Sequence, residues 1–87
     1  MNKVVCSIYD TKVEAFMQPF FVRSVGEAHR AFEELVNDGK SQPSIHAEDF
    51  ALFQVGEFDE QNGHLIPLST PKSLATAIQV KKEQKPG

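Results

Sequence analysis

The sequence predicts an α+β domain: a four-stranded, mainly antiparallel sheet with two helices, in the order strand, strand, helix, hairpin, helix. Three observations predict it: an Asn-Gly dipeptide between two apolar runs, an alternating first segment, and a central stretch whose apolar residues recur every three or four positions. The chain has 87 residues, 40% of them hydrophobic and 24% charged, which is typical of a globular protein. We expect one domain over residues 1–80 and a polar, Lys-rich tail over 81–87.

The hairpin is predicted around Asn62-Gly63, between residues 50–55 and 64–68. Asn-Gly readily takes the two positive φ angles of a type I′ turn, and we place this hairpin at the centre of the sheet. Apolar residues point to both sides of its first arm, so that arm is either covered on both faces or open to a partner on one. Pro67 lacks an N–H group, which places the second arm at a sheet edge or at the end of its strand.

Two extended segments precede the hairpin. Residues 4–9 alternate as a first strand, and a turn is predicted at residues 10–12. Residues 15–23 are aromatic and extended, but Pro19 removes a ladder hydrogen bond. We therefore expect an edge strand that is bulged or interrupted at Pro19. The short connection favours a hairpin with the first strand, and an extended arm is the alternative.

The first helix is predicted to follow Ser24. Ser24 and Glu27 have the spacing of a capping box, in which the Ser24 hydroxyl accepts from the Glu27 N–H and the Glu27 carboxylate accepts from the Ser24 N–H. Gly39 is expected in the left-handed conformation that ends such a helix. The apolar stripe consists of Val25, Ala28, Ala31, Phe32, Leu35 and Val36.

Two further helical segments are predicted. After a loop at residues 40–44, Ser44 is a candidate cap for a short turn of helix that leads through residues 46–49 into the hairpin. The second helix is expected to start with Thr70 as its N-cap and Pro71 at its first position, and to end near Val80.

Charge is segregated along the chain. The formal net charge is −3, but residues 27–60 contain nine acids and two bases, whereas the remainder contains seven bases and three acids. The central region therefore has a net charge of −7 and the rest of the chain +4. A solvated helix face explains part of the acidic region without any function. The segregation also allows two faces of opposite sign, one of which would attract phosphate.

The sequence predicts a protein of the cytoplasm. No apolar run approaches the ~18 residues of a membrane span, and the N-terminus lacks the pattern of a signal peptide. Cys6 is single and lies within an apolar run, so we expect a buried thiol in a reducing compartment and no disulfide.

The sequence does not predict a catalytic or metal site. His46, Glu48 and Asp49 carry suitable donor atoms, but positions 46 and 48 should diverge on a helix or a loop, which favours acids that stabilise a helix N-terminus. The acids at 57–60 lack the alternating loop that Ca²⁺ requires and are interpreted as a solvated hairpin end. No Gly-rich phosphate loop and no nucleophile with a nearby base is recognisable. We expect no metal, no cofactor and no enzymatic activity.

The aromatic residues indicate binding instead. The chain has seven Phe, one Tyr and no Trp, and several of these rings lie beside cations in the N-terminal segments. Single-stranded DNA stacks its bases on aromatic rings for ~1–3 kcal/mol each, while Lys and Arg contact its phosphates. The alternative is that the rings form the core, although adjacent strand residues such as Phe20 and Phe21 must point to opposite faces. The C-terminal lysines would add phosphate contacts or simply solubilise the chain. The predicted nucleic-acid-binding residues are Lys3, Tyr9, Lys12, Phe16, Phe20, Phe21, Arg23, Lys72, Lys81 and Lys82.

Several segments also resemble a known family. They are Ser7-Ile8-Tyr9-Asp10, Glu14-Ala15-Phe16, Pro19-Phe20-Phe21-Val22, His46-Ala47-Glu48-Asp49-Phe50 with Leu52-Phe53, Gly56-Glu57-Phe58-Asp59, and Pro71-x-Ser73-Leu74. Together they resemble the small nonstructural protein of gokushoviruses, which are single-stranded-DNA phages of the microvirus group. The resemblance implies a phage protein made in the bacterial cytoplasm and absent from the mature capsid. It implies DNA binding, or a role in genome replication and packaging, and supplies no catalytic residues.

Two hypotheses follow. In the first, the protein binds single-stranded DNA through a basic and aromatic surface, as a homodimer joined through sheet edges or through the apolar helix stripe. In the second, it is a non-enzymatic interaction module whose acidic region, residues 27–60, binds a basic protein of the phage or the host, such as a replication or packaging protein. Neither hypothesis involves a membrane.

Overall fold

The computed structural model describes residues 2–82 and confirms the α+β class. A 3₁₀ helix at Ala47–Asp49 precedes the central strand of the sheet. The strands are β1 (Asn2–Asp10), β2 (Ala15–Phe16), β3 (Phe20–Val22), β4 (Phe50–Asp59) and β5 (Leu65–Thr76), and the α-helices are α1 (Val25–Val36), α2 (Gln42–Ile45) and α3 (Ala77–Val80). In the described part of the chain, no helix has the length and apolar character needed to cross a membrane.

The sheet is antiparallel throughout, with the order β2-β1-β4-β5 and with β3 also paired to β1. The predicted hairpin therefore supplies a central strand, β4, and an edge strand, β5. Pro67 lies on that edge, as predicted, but β5 does not end there. Gln54 pairs with Lys72 and Gly56 pairs with Pro67, so β5 bulges outward between these two pairs.

The aromatic segment after the first turn is interrupted at Pro19, as predicted. Tyr9 pairs with Phe16 in β2, and Val5 pairs with Phe21 in β3. Both short strands thus form antiparallel pairs with β1, and the extended-arm alternative is wrong.

The turn of the β4–β5 hairpin differs from the predicted type I′ turn. Gly63 has a φ of 77°, but Asn62 does not take a positive φ. The loop closes instead through bonds from the Asp59 N–H to the His64 carbonyl (2.9 Å) and from the Gly63 N–H to the Asp59 carbonyl (2.8 Å). The Asn62 side chain accepts a hydrogen bond from the His64 N–H, which is the local bond that lets Asn favour turns without a positive φ.

The predicted helix start at Thr70 and Pro71 is wrong, because both residues lie within β5. Sheet pairing overrides the local signal: Ala75 lies opposite Leu52 and is buried against the core. The helix begins only at Ala77, after Thr76, which caps it in a complete capping box with Gln79.

Two helix caps predicted in the first half of the chain also differ from those in the structure. The Ser24 hydroxyl accepts from the Glu27 N–H (3.2 Å), but the Glu27 carboxylate accepts from the N–H of Arg23 (3.0 Å) rather than from that of Ser24. Ser44 is no cap: it is buried within α2, and Ser41 caps that helix. Gly39 has a φ of 77°, as predicted, but it lies two residues after the C-cap Asn37 rather than directly after it.

The core lies between α1 and one face of the sheet. Phe32 and Val36 of α1 pack against Cys6 and Leu52 of the central strands, and all four side chains are fully buried. The helix stripe is narrower than predicted, because Val25 and Ala31 are exposed. Burial raises the pKa of the Cys6 thiol to about 11, which keeps it protonated.

Candidate nucleic-acid interface

The opposite face of the sheet carries no helix within residues 2–82, and we call it the helix-free face. Cys6, Ile8 and Leu52 point toward α1, so the alternate positions on the same strands point away from it. The paired residues of the helix-free face are Lys3, Val5, Ser7, Tyr9, Phe16, Phe21, Ala51, Phe53, Gly56, Phe58, Leu65, Pro67, Ser73 and Thr76.

Two aromatic clusters lie on the helix-free face. The first cluster joins Tyr9, Phe16 and Phe53, whose ring centroids are 4.8, 5.5 and 6.3 Å apart in edge-to-face geometry. The second cluster joins Phe21 and Phe58 at 5.5 Å. All eight aromatic residues lie within the described residues, and five of them belong to these clusters. The remaining three, Phe20, Phe32 and Phe50, pack with the core.

The strand charges are sorted between the two faces. Of the paired strand positions in residues 2–82, Lys3 is the only charged residue on the helix-free face. It lines a cavity of about 350 Å³ with Phe21, Phe58 and Glu60 of the hairpin loop. The strand acids Asp10, Glu57 and Asp59 occupy positions of the opposite face. The paired positions of the helix-free face are thus aromatic, with one cation, Lys3, that shares its cavity with Glu60.

Most of the predicted cations do not join Lys3. Arg23 forms an ion pair with Glu27 at 2.8 Å, and hydrogen bonds from the Arg23 backbone and side chain lower the pKa of the Glu27 carboxyl. Lys72 pairs with Gln54 on the opposite face, and Lys12 lies in the exposed turn between β1 and β2. The basic part of the predicted surface is therefore reduced to Lys3 among the paired strand positions of residues 2–82.

Phe20 does not belong to the interface either. It pairs with Cys6, and its side chain packs against the core, where it lines a cavity with Ile8 and Phe32. The prediction that Phe20 and Phe21 point to opposite faces is confirmed, and Phe21 is the exposed one.

A family model described as "Phage ORF5 protein" matches residues 3–80, which extend from β1 to the end of α3. The chain belongs to the phage ORF5 protein family. No curated protein and no solved structure matches it. The matched region includes both aromatic clusters and Lys3.

In this ORF5-family protein, Lys81 has a structural position rather than a place in a free tail. Its ammonium group donates to the carbonyl oxygens of Val36 (3.2 Å) and Ser44 (2.9 Å) and to the Ser44 hydroxyl (3.1 Å). A cation there also complements the negative end of the α1 dipole. Lys82 is exposed, and only its backbone N–H is bonded, to the Asn37 side chain (2.8 Å). The rest of the predicted tail, residues 83–87, lies outside the described residues.

These contacts predict different effects for the two lysines. Lys81→Met should lower the free energy of unfolding by ~1–3 kcal/mol, because it leaves part-buried carbonyl oxygens without a charged donor. Lys82→Met, the matched control, should change it by less than ~0.5 kcal/mol. Urea unfolding followed by circular dichroism measures both. Equal effects would contradict the structural role of Lys81.

The prediction that His46 and Glu48 diverge is wrong. Donor atoms of His46, Glu48 and Asp49 all lie within 4.8 Å of one another, beside a cavity of about 440 Å³. The 3₁₀ helix causes this, because the Asp49 N–H donates to the His46 carbonyl (2.9 Å) and turns the chain back on itself. The donor set suits a divalent cation in type. His46 and Glu48 are exposed to water. Exposed acidic groups lie close together in many proteins that bind no metal, so this cluster alone does not indicate a metal site.

Sequence reasoning missed two residues of the helix-free face, Phe53 and Phe58. The sequence did contain a signal for these two residues. Apolar side chains on both sides of the first hairpin arm, which is β4, allowed one of its faces to be open to a partner. The register between β4 and β1, which places Phe53 opposite Ser7 and Phe58 opposite Lys3, was needed to identify them.

Proposed function

We propose that this phage ORF5-family protein binds single-stranded DNA on its helix-free face. One observation carries the proposal: five aromatic residues share a sheet face on which, among the paired strand positions of residues 2–82, Lys3 is the one charged side chain. Phe16 is 43% exposed and Phe21 is 48% exposed, so each cluster presents a ring to a base. Rings on a sheet surface beside a cation form the kind of platform on which single strands stack.

Stacking rather than charge should supply most of the affinity. Each stacked base contributes ~1–3 kcal/mol, whereas the net charge of −3 repels the phosphate backbone as a whole. The strand acids face away from the proposed site, which reduces this repulsion locally, and Glu60 of the hairpin loop is the acid that lines the Lys3 cavity. Binding should therefore tolerate different base sequences and depend only weakly on salt.

The biological role that fits is non-enzymatic. The family match makes this a phage protein. The resemblance to the small nonstructural protein of gokushoviruses supports action on a newly made single-stranded genome, in replication or packaging, within the host bacterial cytoplasm.

A homodimer remains part of the proposal. The helix stripe is one of the two predicted dimer interfaces, but it packs against the chain's own sheet through Ala28, Phe32 and Val36 and is not available to a second chain. The sheet edges are the other predicted interface, and β5 is an edge strand with Leu65 and Ile66 exposed. A mass measurement of the free protein should give twice the chain mass of 9.7 kDa, and a single chain mass would exclude the dimer.

The proposal is tested by titrating labelled oligo-dT at several salt concentrations. We expect saturable binding whose log affinity falls with log salt at a slope between about −0.7 and −1.4, as for one or two phosphate contacts. Lys3→Gln should reduce that slope by about 0.7, and Lys72→Gln, a cation on the opposite face, should leave it unchanged. Absence of binding at about 50 mM salt would contradict the proposal, since low salt favours phosphate contacts most.

That negative result would favour the second hypothesis, a basic protein partner for residues 27–60. Some acids of this region already have partners within the chain. Glu27 binds Arg23, and the Asp38 carboxylate accepts from the N–H groups of Ser41 and Lys40, which lower its pKa. Glu34, Glu48 and Glu60 are exposed and would form part of the surface offered to such a partner.

A further inference from the structure

We infer that the helix-free face holds two separate base-stacking subsites, and that one DNA strand must span both to bind tightly. The subsites are the first cluster (Tyr9, Phe16 and Phe53) and the second cluster (Phe21 and Phe58). This inference rests on the proposed function and adds the length of strand that the face recognises.

The distance between the clusters follows from the register of β1. Phe16 and Phe21, the exposed rings of the two clusters, pair with Tyr9 and Val5, which are four residues apart on β1. Phe53 and Phe58 pair with Ser7 and Lys3, which are also four residues apart. A strand rises about 3.3 Å per residue, so equivalent rings of the two subsites lie about 13 Å apart. No ring contact in residues 2–82 joins one cluster to the other.

The strand residues beside the rings add little for a base to stack on. Val5, which pairs with Phe21, and Ser7, which pairs with Phe53, are 6% and 2% exposed. The Ser7 hydroxyl donates to the Met17 carbonyl (2.6 Å), and Gly56, opposite Val5, has no side chain. A bound strand would therefore stack mainly on the rings of the two clusters.

This geometry sets a minimum length for tight binding. At the ~3.4 Å per nucleotide of a stacked strand, about 13 Å corresponds to about four steps between nucleotides. The single step of a dT2 oligonucleotide covers at most about twice the stacked rise when it is fully extended, so dT2 can occupy one subsite only, whereas dT12 can occupy both. Linking two weak contacts in this way raises affinity by about 10²-fold or more. A longer strand also binds more tightly for a statistical reason, because it offers more positions at which the face can bind. For dT12 this factor raises the affinity by only about tenfold.

The experiment measures the affinities of dT2 and dT12 for the wild type and for variants of each cluster. Labelled dT12 is titrated directly, and dT2 is measured by its displacement of labelled dT12. We expect a dT12-to-dT2 affinity ratio of about 10² or more for the wild type. Phe16→Ala or Phe21→Ala alone should reduce the ratio to about tenfold while changing dT2 affinity by no more than about twofold, because the other subsite remains. Val13→Ala, an exposed apolar residue in the turn between β1 and β2, should leave both affinities unchanged.

The outcomes separate the inference from the proposed function. If the wild type binds neither oligonucleotide, the proposed function fails. If both bind, but the wild-type ratio is about ten or either single variant leaves the ratio intact, the face binds DNA at one subsite and the two-subsite inference is wrong. If dT2 displaces no dT12, the ratio has a lower limit, and loss of dT12 affinity in each single variant decides for two subsites.

Discussion

Phe32→Ala is expected to lower the free energy of unfolding by ~3–5 kcal/mol, as measured by urea unfolding. Phe32 is 1% exposed and is among the largest fully buried side chains, at the centre of the contact between α1 and the sheet. Its removal loses buried apolar area and leaves a cavity that its neighbours fill only in part. A domain of 87 residues has a total stability of about 4–13 kcal/mol, so this one substitution removes a large share of it.

The chain supplies a matched control with the same residue type. Phe21 is 48% exposed on the helix-free face, and Phe21→Ala should change stability by less than ~1 kcal/mol. Phe20→Ala should fall between the two, because Phe20 is partly buried at the edge of the core. If Phe21→Ala destabilised the protein as much as Phe32→Ala, the helix-free face would be part of the core and unavailable to DNA.

Gly56→Ala is expected to destabilise the protein by ~1–3 kcal/mol, the usual effect of overpacking. A Cβ atom added at Gly56 would lie 2.6 Å from the Ile66 carbonyl oxygen and 3.3 Å from the Pro67 Cα atom. Gly56 does not have a positive φ, so the effect is one of space rather than backbone conformation. The backbone of β5 would have to move away from β4 at this point.

Gly26→Ala is the control for that substitution. The nearest atom to its added Cβ, apart from the chain neighbours, is the Ser24 hydroxyl oxygen at 3.8 Å, and Gly26 lies in the first turn of α1. Alanine there should be neutral or stabilise the protein by up to ~1 kcal/mol, because it reduces the freedom of the unfolded chain. Equal stabilities for the two variants would mean that β4 and β5 are farther apart at Gly56 than the structure shows.

The parts of the fold that were predicted from the sequence are those specified by neighbouring residues. The start of α1 after Ser24 and the interruption at Pro19 follow from local hydrogen bonding and proline geometry. The helix start predicted at Thr70 is wrong because a cap signal has an effect only where the following residues are free of sheet pairing. In this chain Lys72, Ser73 and Ala75 pair with β4, and the helix begins only after Thr76.

The site was predicted in part, for a related reason. Alternation along a strand shows that Phe20 and Phe21 point apart, but not which of them faces α1. The roles of Arg23 and Lys81 depend on partners that the sequence pattern did not reveal. Glu27 engages Arg23 within one turn, and Lys81 binds carbonyl groups 37 and 45 residues away. Cations counted from the sequence therefore overstate the charge that is available to DNA.

The most direct test of DNA binding on the helix-free face is the tyrosine fluorescence of the protein. The chain has one tyrosine and no tryptophan, so this emission reports on Tyr9 in the first cluster. Adding dT12 should change the emission saturably, with the same midpoint as the binding titration, because a base stacks beside the ring. Free tyrosine amide with the same DNA corrects for light that the bases absorb. Saturable binding of dT12 with unchanged Tyr9 emission would contradict contact at the first cluster.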